Sequence, residues 1–119
     1  MAWQVELHPA FAAELKAVSP TVRVAVLARA TLLEAYGPNL GRPYTDTLKG
    51  SRMPNMKELR LDADDGVWRV AFAFDPQRQA ILLCAGDKSG VEPARFYKRL
   101  ISLAEERFGE HLARLERKI

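Results

Sequence analysis

The sequence predicts an α+β domain in which two N-terminal helices and a C-terminal helix pack on a small antiparallel sheet. Three observations support this prediction. Apolar residues recur at helical spacing near both ends of the chain, and they alternate with polar residues in the segment between. The turns that separate the alternating segments are short, as antiparallel neighbours require. A length of 119 residues corresponds to one domain, spanning 1–119.

The N-terminal part is predicted to form a strand followed by two helices. Residues 3–7 alternate in the manner of an edge strand. Pro9 and Pro20 each indicate the start of a helix, because proline at the first helical position loses no hydrogen bond. Gly37 ends the second helix, and the Gly- and Pro-rich segment 37–55 is predicted to be a long loop. Ordered loops of this length often carry function.

The second half is predicted to form a three-stranded meander and a helix. Residues 56–61, 67–74 and 79–86 have the composition of strands, with Asp-rich turns between them. The segment 91–119 has an apolar stripe at helical spacing, and Gly109 is expected to weaken that helix and to bend or divide it. Leu100, Leu103 and Phe108 are assigned to the core, whereas Leu112 and Leu115 are candidates for a partner surface.

Alternation along the second meander strand predicts where Arg69 points. The large apolar residues of 68–74 face a core beneath the helices, and Arg69 lies on the opposite face among small residues. We expect the helices to cover one face only, so that Arg69 lies on an open surface beside Glu58 and Arg60. Its planar fork would bind phosphate bidentately. The alternative is a cross-strand Arg69–Glu58 ion pair without a function.

The charge is distributed unevenly along the chain. Eighteen basic and fifteen acidic residues give a net charge of +3. Residues 42–60 hold five basic and two acidic residues, and residues 88–99 hold four and one, whereas 61–87 hold two and five. If the fold brings the two basic segments together, their surface would attract a polyanion. The alternative is a solvated basic face without a partner.

Several functional classes are disfavoured by the residues present. The single Cys84 is expected in the core and suits a reducing compartment. The two histidines lie near opposite ends of the chain, so no metal site or other cofactor is expected. The N-terminus lacks the features of a signal peptide, and no apolar run approaches the roughly 20 residues of a membrane span. We therefore expect a cytoplasmic protein with no membrane partner.

Four short segments and the order of the elements resemble the RelE/HigB-type toxins of bacterial type II toxin–antitoxin systems. These segments are Leu-Lys-Gly-Ser at 48–51, Lys-Glu-Leu-Arg at 57–60, Trp-Arg-Val at 68–70 and Gly-Asp-Lys at 86–88. The likeness is to the phage Gp49-like branch of the RelE/ParE superfamily. It implies a RelE-like fold and a toxin that cleaves mRNA, generally on the ribosome. It also implies neutralisation by an antitoxin, usually a helix-turn-helix protein encoded by the adjacent gene.

The resemblance also implies site residues. Those expected to be catalytic are Arg60, Arg69, Lys88 and Tyr97. The resemblance also implies that Lys57 contacts RNA, and we hypothesise that further cations of the two basic segments position the RNA backbone with it: Lys49, Arg52, Arg95, Lys98 and Arg99. The two arginines would stabilise phosphorane charge during attack by the RNA 2′-OH, and Lys88 and Tyr97 would assist proton transfer. We expect the cationic cluster to lower the pKa of both. Asp87 departs from the family, which commonly has a second basic residue there.

Two other functions are compatible with the same sequence. A ParE-like toxin of this fold would inhibit DNA gyrase by binding, without RNA chemistry, since a fold does not determine the function of its site. A non-enzymatic module would use the basic face only to bind an acidic partner.

Overall fold

A mixed five-stranded sheet lies between two layers of helices in the computed structural model, which describes residues 3–117. The strands are β1 (Gln4–Leu7), β2 (Thr45–Thr47), β3 (Met56–Ala63), β4 (Gly66–Phe74) and β5 (Gln79–Asp87). The helices are α1 (Pro9–Ala17), α2 (Pro20–Tyr36) and α3 (Pro93–Arg117). The strand order is β1-β5-β4-β3-β2, and the predicted α+β class is confirmed. None of the helices described is both long and apolar enough to cross a bilayer.

One edge of the sheet differs from the predicted antiparallel arrangement. β1 pairs with β5 in parallel, from Gln4 opposite Gln79 to Leu7 opposite Leu82, whereas all other pairs are antiparallel. A parallel pair needs a long crossover connection. Here the connection contains both N-terminal helices and the rest of the sheet, so no local turn in the sequence signals it.

The two faces of the sheet carry separate apolar cores. α1 and α2 cover one face, where Phe11, Val26 and Leu33 pack with β-strand residues such as Val70 and Phe72. The opposite face is covered by α3. The α3 side chains in that second core are Phe96, Leu100, Ala104 and Phe108, which pack with Ala71, Ala73, Ile81 and Leu83.

The expectation that helices cover one face only is therefore wrong. The small residues Ala71 and Ala73 do not form an open surface, because they leave the space that the large apolar residues of α3 fill. Arg69 lies on this same covered face and is itself buried.

Local signals fix the starts of all three helices. The His8 ring accepts a hydrogen bond from the Ala10 N–H at 3.1 Å, and the Ser19 hydroxyl accepts one from the Val22 N–H at 3.3 Å. α3 begins two residues later than predicted, because the Glu92 carboxylate caps its first turn. It then runs unbroken through position 109, so Gly109 does not divide it.

Polar contacts hold the C-terminal half of α3 to the rest of the domain. Arg107 forms a bidentate pair with Glu14 of α1 at 2.7 and 2.6 Å and also donates to the Leu83 carbonyl oxygen at 2.8 Å. His111 contacts the buried Asp75 carboxylate at 2.8 Å. Leu112 is half-buried against the α3-side core, so little of this segment is free for a partner.

The predicted turns and loop are present with small changes. Asp64 and Asp65 have positive φ angles of 55° and 60°, as the two-residue turn of the β3–β4 hairpin requires. The segment 37–55, predicted as a loop, contains a 3₁₀ turn at Gly37–Asn39 and the short strand β2. β2 pairs with the outer edge of β3 and thereby lies beside Glu58 and Arg60.

Candidate functional site

Arg69 and Glu58 form the buried centre of the candidate site. Arg69 lies directly opposite Arg60 in the β3–β4 ladder, and Glu58 lies two residues before Arg60 on the same face. The Arg69 Nε is 3.8 Å from Glu58 Oε1, and the two side chains are only 6% and 5% exposed. Arg69 also donates from Nη1 to the Trp68 carbonyl oxygen at 2.9 Å. The open surface expected around Arg69 is thus replaced by the ion pair that was the alternative.

Both atoms at the centre of this pair lack a hydrogen-bond partner. Arg69 Nε and Glu58 Oε1 are buried, and no group among the described residues bonds to either. Their separation is too long for a hydrogen bond. An unsatisfied buried polar atom costs about 1–3 kcal/mol, and such atoms in a native fold often mark a place where a ligand or a water belongs.

Arg60 links this buried pair to the surface. Its Nη1 donates to Glu58 Oε2 at 3.0 Å and lies 4.0 Å from Asp46 Oδ2. Asp46 in turn accepts a 2.6 Å hydrogen bond from Arg42. Three arginines and two carboxylates therefore alternate from the loop to the middle of β4. The Arg60 side chain is 27% exposed, so it is the central guanidinium that a ligand can reach directly.

A cleft of about 420 Å³ opens beside Arg60, and we call it the α3 cleft. It is lined by Glu58 and Arg60 of β3, Lys49 of the loop, and Pro93 and Tyr97 of α3, among others. The two cations of this lining, Lys49 and Arg60, both come from the first basic segment, whereas the second contributes Pro93, Ala94 and Tyr97 but no cation. The lining thus combines an arginine, a carboxylate and a phenol, groups that can bind a phosphate and exchange protons with it.

The pKa of Tyr97 differs from the sequence-based expectation. Burial raises the pKa of its phenol above the ordinary value, the Glu58 carboxylate raises it further, and Arg69 acts weakly in the opposite direction. The expected lowering by the cationic cluster is wrong, because the carboxylate and the apolar packing dominate around the ring. Tyr97 therefore keeps its proton at neutral pH and can act as a proton donor.

Lys88 lies over the same ring. Its Nζ is 5.8 Å from the centroid of Tyr97, within the range of a cation–π contact. Asp87 fixes the turn that carries Lys88, since its carboxylate accepts hydrogen bonds from the Val67 N–H at 3.0 Å and the Ser89 N–H at 2.9 Å. These bonds, chiefly those of Ser89, lower the pKa of Asp87. The acid that departs from the family pattern thus has a structural role.

The remaining predicted cations are dispersed. Lys57 pairs with Phe72 in the ladder and so points to the face that α2 covers, away from Arg60. Arg52 is 88% exposed, and its backbone N–H donates to Glu105 at 2.6 Å. Arg95 and Lys98 are exposed in the first turns of α3. Arg99 lines a different cavity with Cys84, so it is not brought to the α3 cleft.

A second polar pocket adjoins the α3 cleft across Arg60, and sequence reasoning missed it. This rim pocket of about 290 Å³ is lined by Arg29 of α2, Tyr44, Arg60, Asp62 and Arg69, among others. The Arg29 guanidinium lies 5.2 Å from the centroid of the Tyr44 ring. Nothing in the periodicity of α2 distinguishes Arg29 from an ordinary solvated position, so only the fold reveals it.

The part of the chain that the structure describes has no group of three or more His, Cys, Asp and Glu side chains arranged to hold a metal ion. Both histidines lie in carboxylate contacts outside the α3 cleft, His8 with Glu110 at 2.9 Å and His111 with Asp75. Cys84 is buried, and its desolvation raises the pKa of the thiol to about 12. It is a core residue, as predicted.

Comparison with known proteins places the chain in a family. Residues 13–109 match the family described as phage derived protein Gp49-like. The chain is 49% identical over 92 residues to the putative toxin HigB2 of Mycobacterium tuberculosis, covering 76% of this chain and 45% of that protein. It is 50% identical over 82 residues to the putative toxin HigB3 of the same organism, covering 69% of each. The chain belongs to the RelE/HigB-type toxin family.

Two solved structures share the fold. A variant of the E. coli toxin RelE in the free state superimposes with a TM-score of 0.65 at 16% identity, covering 90% of this chain and 98% of RelE. The RelE chain of an archaeal RelE–RelB complex from Pyrococcus horikoshii gives a TM-score of 0.56 at 17% identity, covering 76% and 100%. The RelE-like architecture is thus conserved while most residues differ. The present chain spans under half the length of HigB2, the first of its curated relatives.

Proposed function

We propose that this RelE/HigB-type protein is a toxin that cleaves mRNA without a metal ion, using the α3 cleft. The observation that carries the proposal is that Arg60, Glu58 and Tyr97 together line that cleft, with Arg69 buried next to Glu58. Lys49 in the lining of the cleft and Lys88 over the Tyr97 ring would draw in the RNA backbone.

The groups suit attack by the RNA 2′-OH on the adjacent phosphate. Glu58 accepts the hydroxyl proton as the 2′ oxygen bonds to phosphorus, and the bond to the 5′ oxygen breaks. Tyr97, whose raised pKa keeps its phenol protonated at neutral pH, donates the proton that the leaving 5′ oxygen requires. The products are a 2′,3′-cyclic phosphate and a 5′-OH, so atoms and charge balance without water or metal.

The two arginines have different parts in this proposal. Arg60 is exposed enough to bind the phosphate and stabilise the charge of the phosphorane. Arg69 is nearly buried, so it acts by holding Glu58 and by adding positive potential beneath the cleft. Lys88 would assist by placing its charge over the Tyr97 ring.

The partners in this proposal are mRNA, met on the ribosome, and a cognate antitoxin, expected to be a helix-turn-helix protein encoded by the adjacent gene. Support for an antitoxin comes from the relatives, which are described as toxins, and from the RelE fold neighbour, which is solved in complex with RelB. Co-expression with the adjacent reading frame should therefore suppress the growth inhibition that the toxin causes alone.

The proposal is tested by cleavage of RNA in the presence of EDTA, with and without ribosomes. We expect Tyr97→Phe to lower the cleavage rate about 10²–10⁴-fold and Arg60→Ala about 10²–10³-fold. Arg117→Ala is the matched control, since it removes an exposed cation of α3 twenty residues, or about 30 Å, beyond Tyr97. Methylation of the substrate 2′ oxygen should abolish cleavage.

Two results would contradict the proposal. Full activity of both Tyr97→Phe and Arg60→Ala would show that the α3 cleft is not the catalytic site. Growth inhibition with intact mRNA and damaged DNA would instead indicate the gyrase inhibition of a ParE-like toxin.

A further inference from the structure

We infer that the rim pocket is a second RNA subsite, in which Arg29 and Tyr44 bind a nucleotide next to the one that is cleaved. The inference rests on the proposed function, and it assigns a role to residues that lie outside the predicted catalytic set. It depends on how Arg29 is held, on the charge of the pocket, and on its continuity with the α3 cleft.

Arg29 is positioned by the protein and yet keeps its binding groups available. Its Nε donates to the Arg60 carbonyl oxygen at 3.4 Å, and its guanidinium lies over the Tyr44 ring. Its two terminal amino groups have no hydrogen-bond partner among residues 3–117, and no carboxylate of that range lies within 4.0 Å of it. A guanidinium fixed in this way binds an anion at a lower entropic cost than a mobile one.

The pocket has the composition of a nucleotide subsite. Three arginines, Arg29, Arg60 and Arg69, line it against the single acidic residue Asp62. Planar guanidinium groups bind phosphate bidentately, and an exposed aromatic ring such as Tyr44 offers a face on which a base can stack. An acidic protein segment would use the arginines but would gain little from the ring, so the composition favours RNA.

The rim pocket continues the α3 cleft along the same edge of the sheet. Arg60 lines both cavities. β2 covers the edge of β3 only from Lys57 to Leu59, and beyond it the Arg60 N–H bonds to the Tyr44 carbonyl oxygen at 2.8 Å. A single strand of RNA that places one phosphate at Arg60 would therefore extend across this edge toward Arg29.

The test measures binding separately from cleavage. A short fluorescent single-stranded RNA with every 2′ oxygen methylated is titrated with the protein, and its anisotropy is followed at several salt concentrations. We expect Arg29→Ala to weaken binding about tenfold and to reduce the slope of log K against log salt by about 0.7, the contribution of one phosphate contact on a single strand.

Two companion variants separate charge from stacking. Arg29→Lys should leave the dependence of affinity on salt unchanged but lower the affinity itself. Lysine retains the positive charge but lacks the planar guanidinium that binds phosphate through two hydrogen bonds. Tyr44→Ala should lower affinity with little change in slope, since stacking does not release counterions. The matched control is Arg78→Asn, which removes another arginine held over an aromatic ring, at 5.1 Å from Trp3 in the turn at the far end of β4.

The outcomes distinguish this inference from the proposed function. If the wild-type protein cleaves RNA while Arg29→Ala keeps wild-type affinity and slope, the subsite is overturned and the proposed function stands. If Arg29→Ala weakens antitoxin binding and leaves RNA affinity unchanged, the pocket belongs to a protein partner and the inference is again overturned. If the wild-type protein neither binds nor cleaves RNA, the proposed function fails and the subsite fails with it.

Discussion

Replacing Glu58 with glutamine should destabilise the domain strongly, because it leaves the Arg69 guanidinium buried without a counter-charge. At 3.8 Å and an effective dielectric constant of about 20, the attraction between the two charges is about 4 kcal/mol. Breaking a buried pair by removing one partner costs about 3–5 kcal/mol, which agrees with that value. Since a domain of this size is stable by about 5–15 kcal/mol, the variant should remain folded with a much lower Tm.

The measurement is urea unfolding of wild type and Glu58→Gln, with thermal unfolding in parallel. A loss of about 3–5 kcal/mol corresponds to a fall in Tm of about 10–25 °C. The control is the double variant Glu58→Leu/Arg69→Met, which replaces the pair by apolar side chains of similar volume and should recover most of the lost stability. A loss below about 1 kcal/mol in Glu58→Gln would refute the reasoning, since Arg69 would then not depend on this carboxylate.

Three further outcomes are expected. The pKa of Glu14 is held below its ordinary 4.5, chiefly by the hydrogen bond from its arginine partner on α3, so its contribution to stability is present above pH 4.5 and is lost on acidification. As the pH is lowered below 4.5, urea unfolding should show a steeper fall in the free energy of unfolding for wild type than for Glu14→Gln. Cys84, with a pKa of about 12, should resist iodoacetamide in the native protein and react after denaturation, as followed by mass spectrometry. Gly37→Ala should lower the free energy of unfolding by at least about 1–3 kcal/mol in urea titrations, because φ is +54° there and a Cβ would lie 2.3 Å from the indole of Trp3. Gly41→Ala, which meets nothing within 4 Å, should change it by less than about 0.5 kcal/mol.

Each of these expectations has a contrary result. Parallel pH profiles for wild type and Glu14→Gln would show that the pair does not form in solution. Rapid alkylation of native Cys84 would mean that α3 separates from the sheet readily. Equal stability of Gly37→Ala and Gly41→Ala would mean that the end of α2 can rearrange.

The secondary structure was largely predictable because its signals are local. Pro9 and Pro20 mark helix starts by their own covalent geometry, and the alternation in 67–74 follows from the geometry of a strand. The parallel pairing of β1 with β5 was not predictable in this way, because it joins segments separated by most of the chain.

The candidate site was predictable only in part. The family resemblance named both Arg60 and Tyr97, which line one cleft in the structure. Alternation alone already separates Lys57 from Arg60, since residues three apart on a strand point to opposite faces. The rise in the pKa of Tyr97 is caused by burial of the phenol and by the nearby Glu58 carboxylate, and neither could be predicted from the sequence. The position of Arg29 at the rim pocket is known only from the fold, which places α2 beside the edge of β3.

The sequence by itself determined the class of fold, the family and the types of group available for chemistry, because periodicity, turn residues and short motifs are properties of neighbouring residues. Only the tertiary structure decided that α3 covers the Arg69 face, and so turned an expected open surface into a buried ion pair with a cleft at its side. The physical reason is that alanines at 71 and 73 are compatible with either solvent or a helix above them. Which of the two is found depends on where a distant amphipathic segment can bury its apolar stripe.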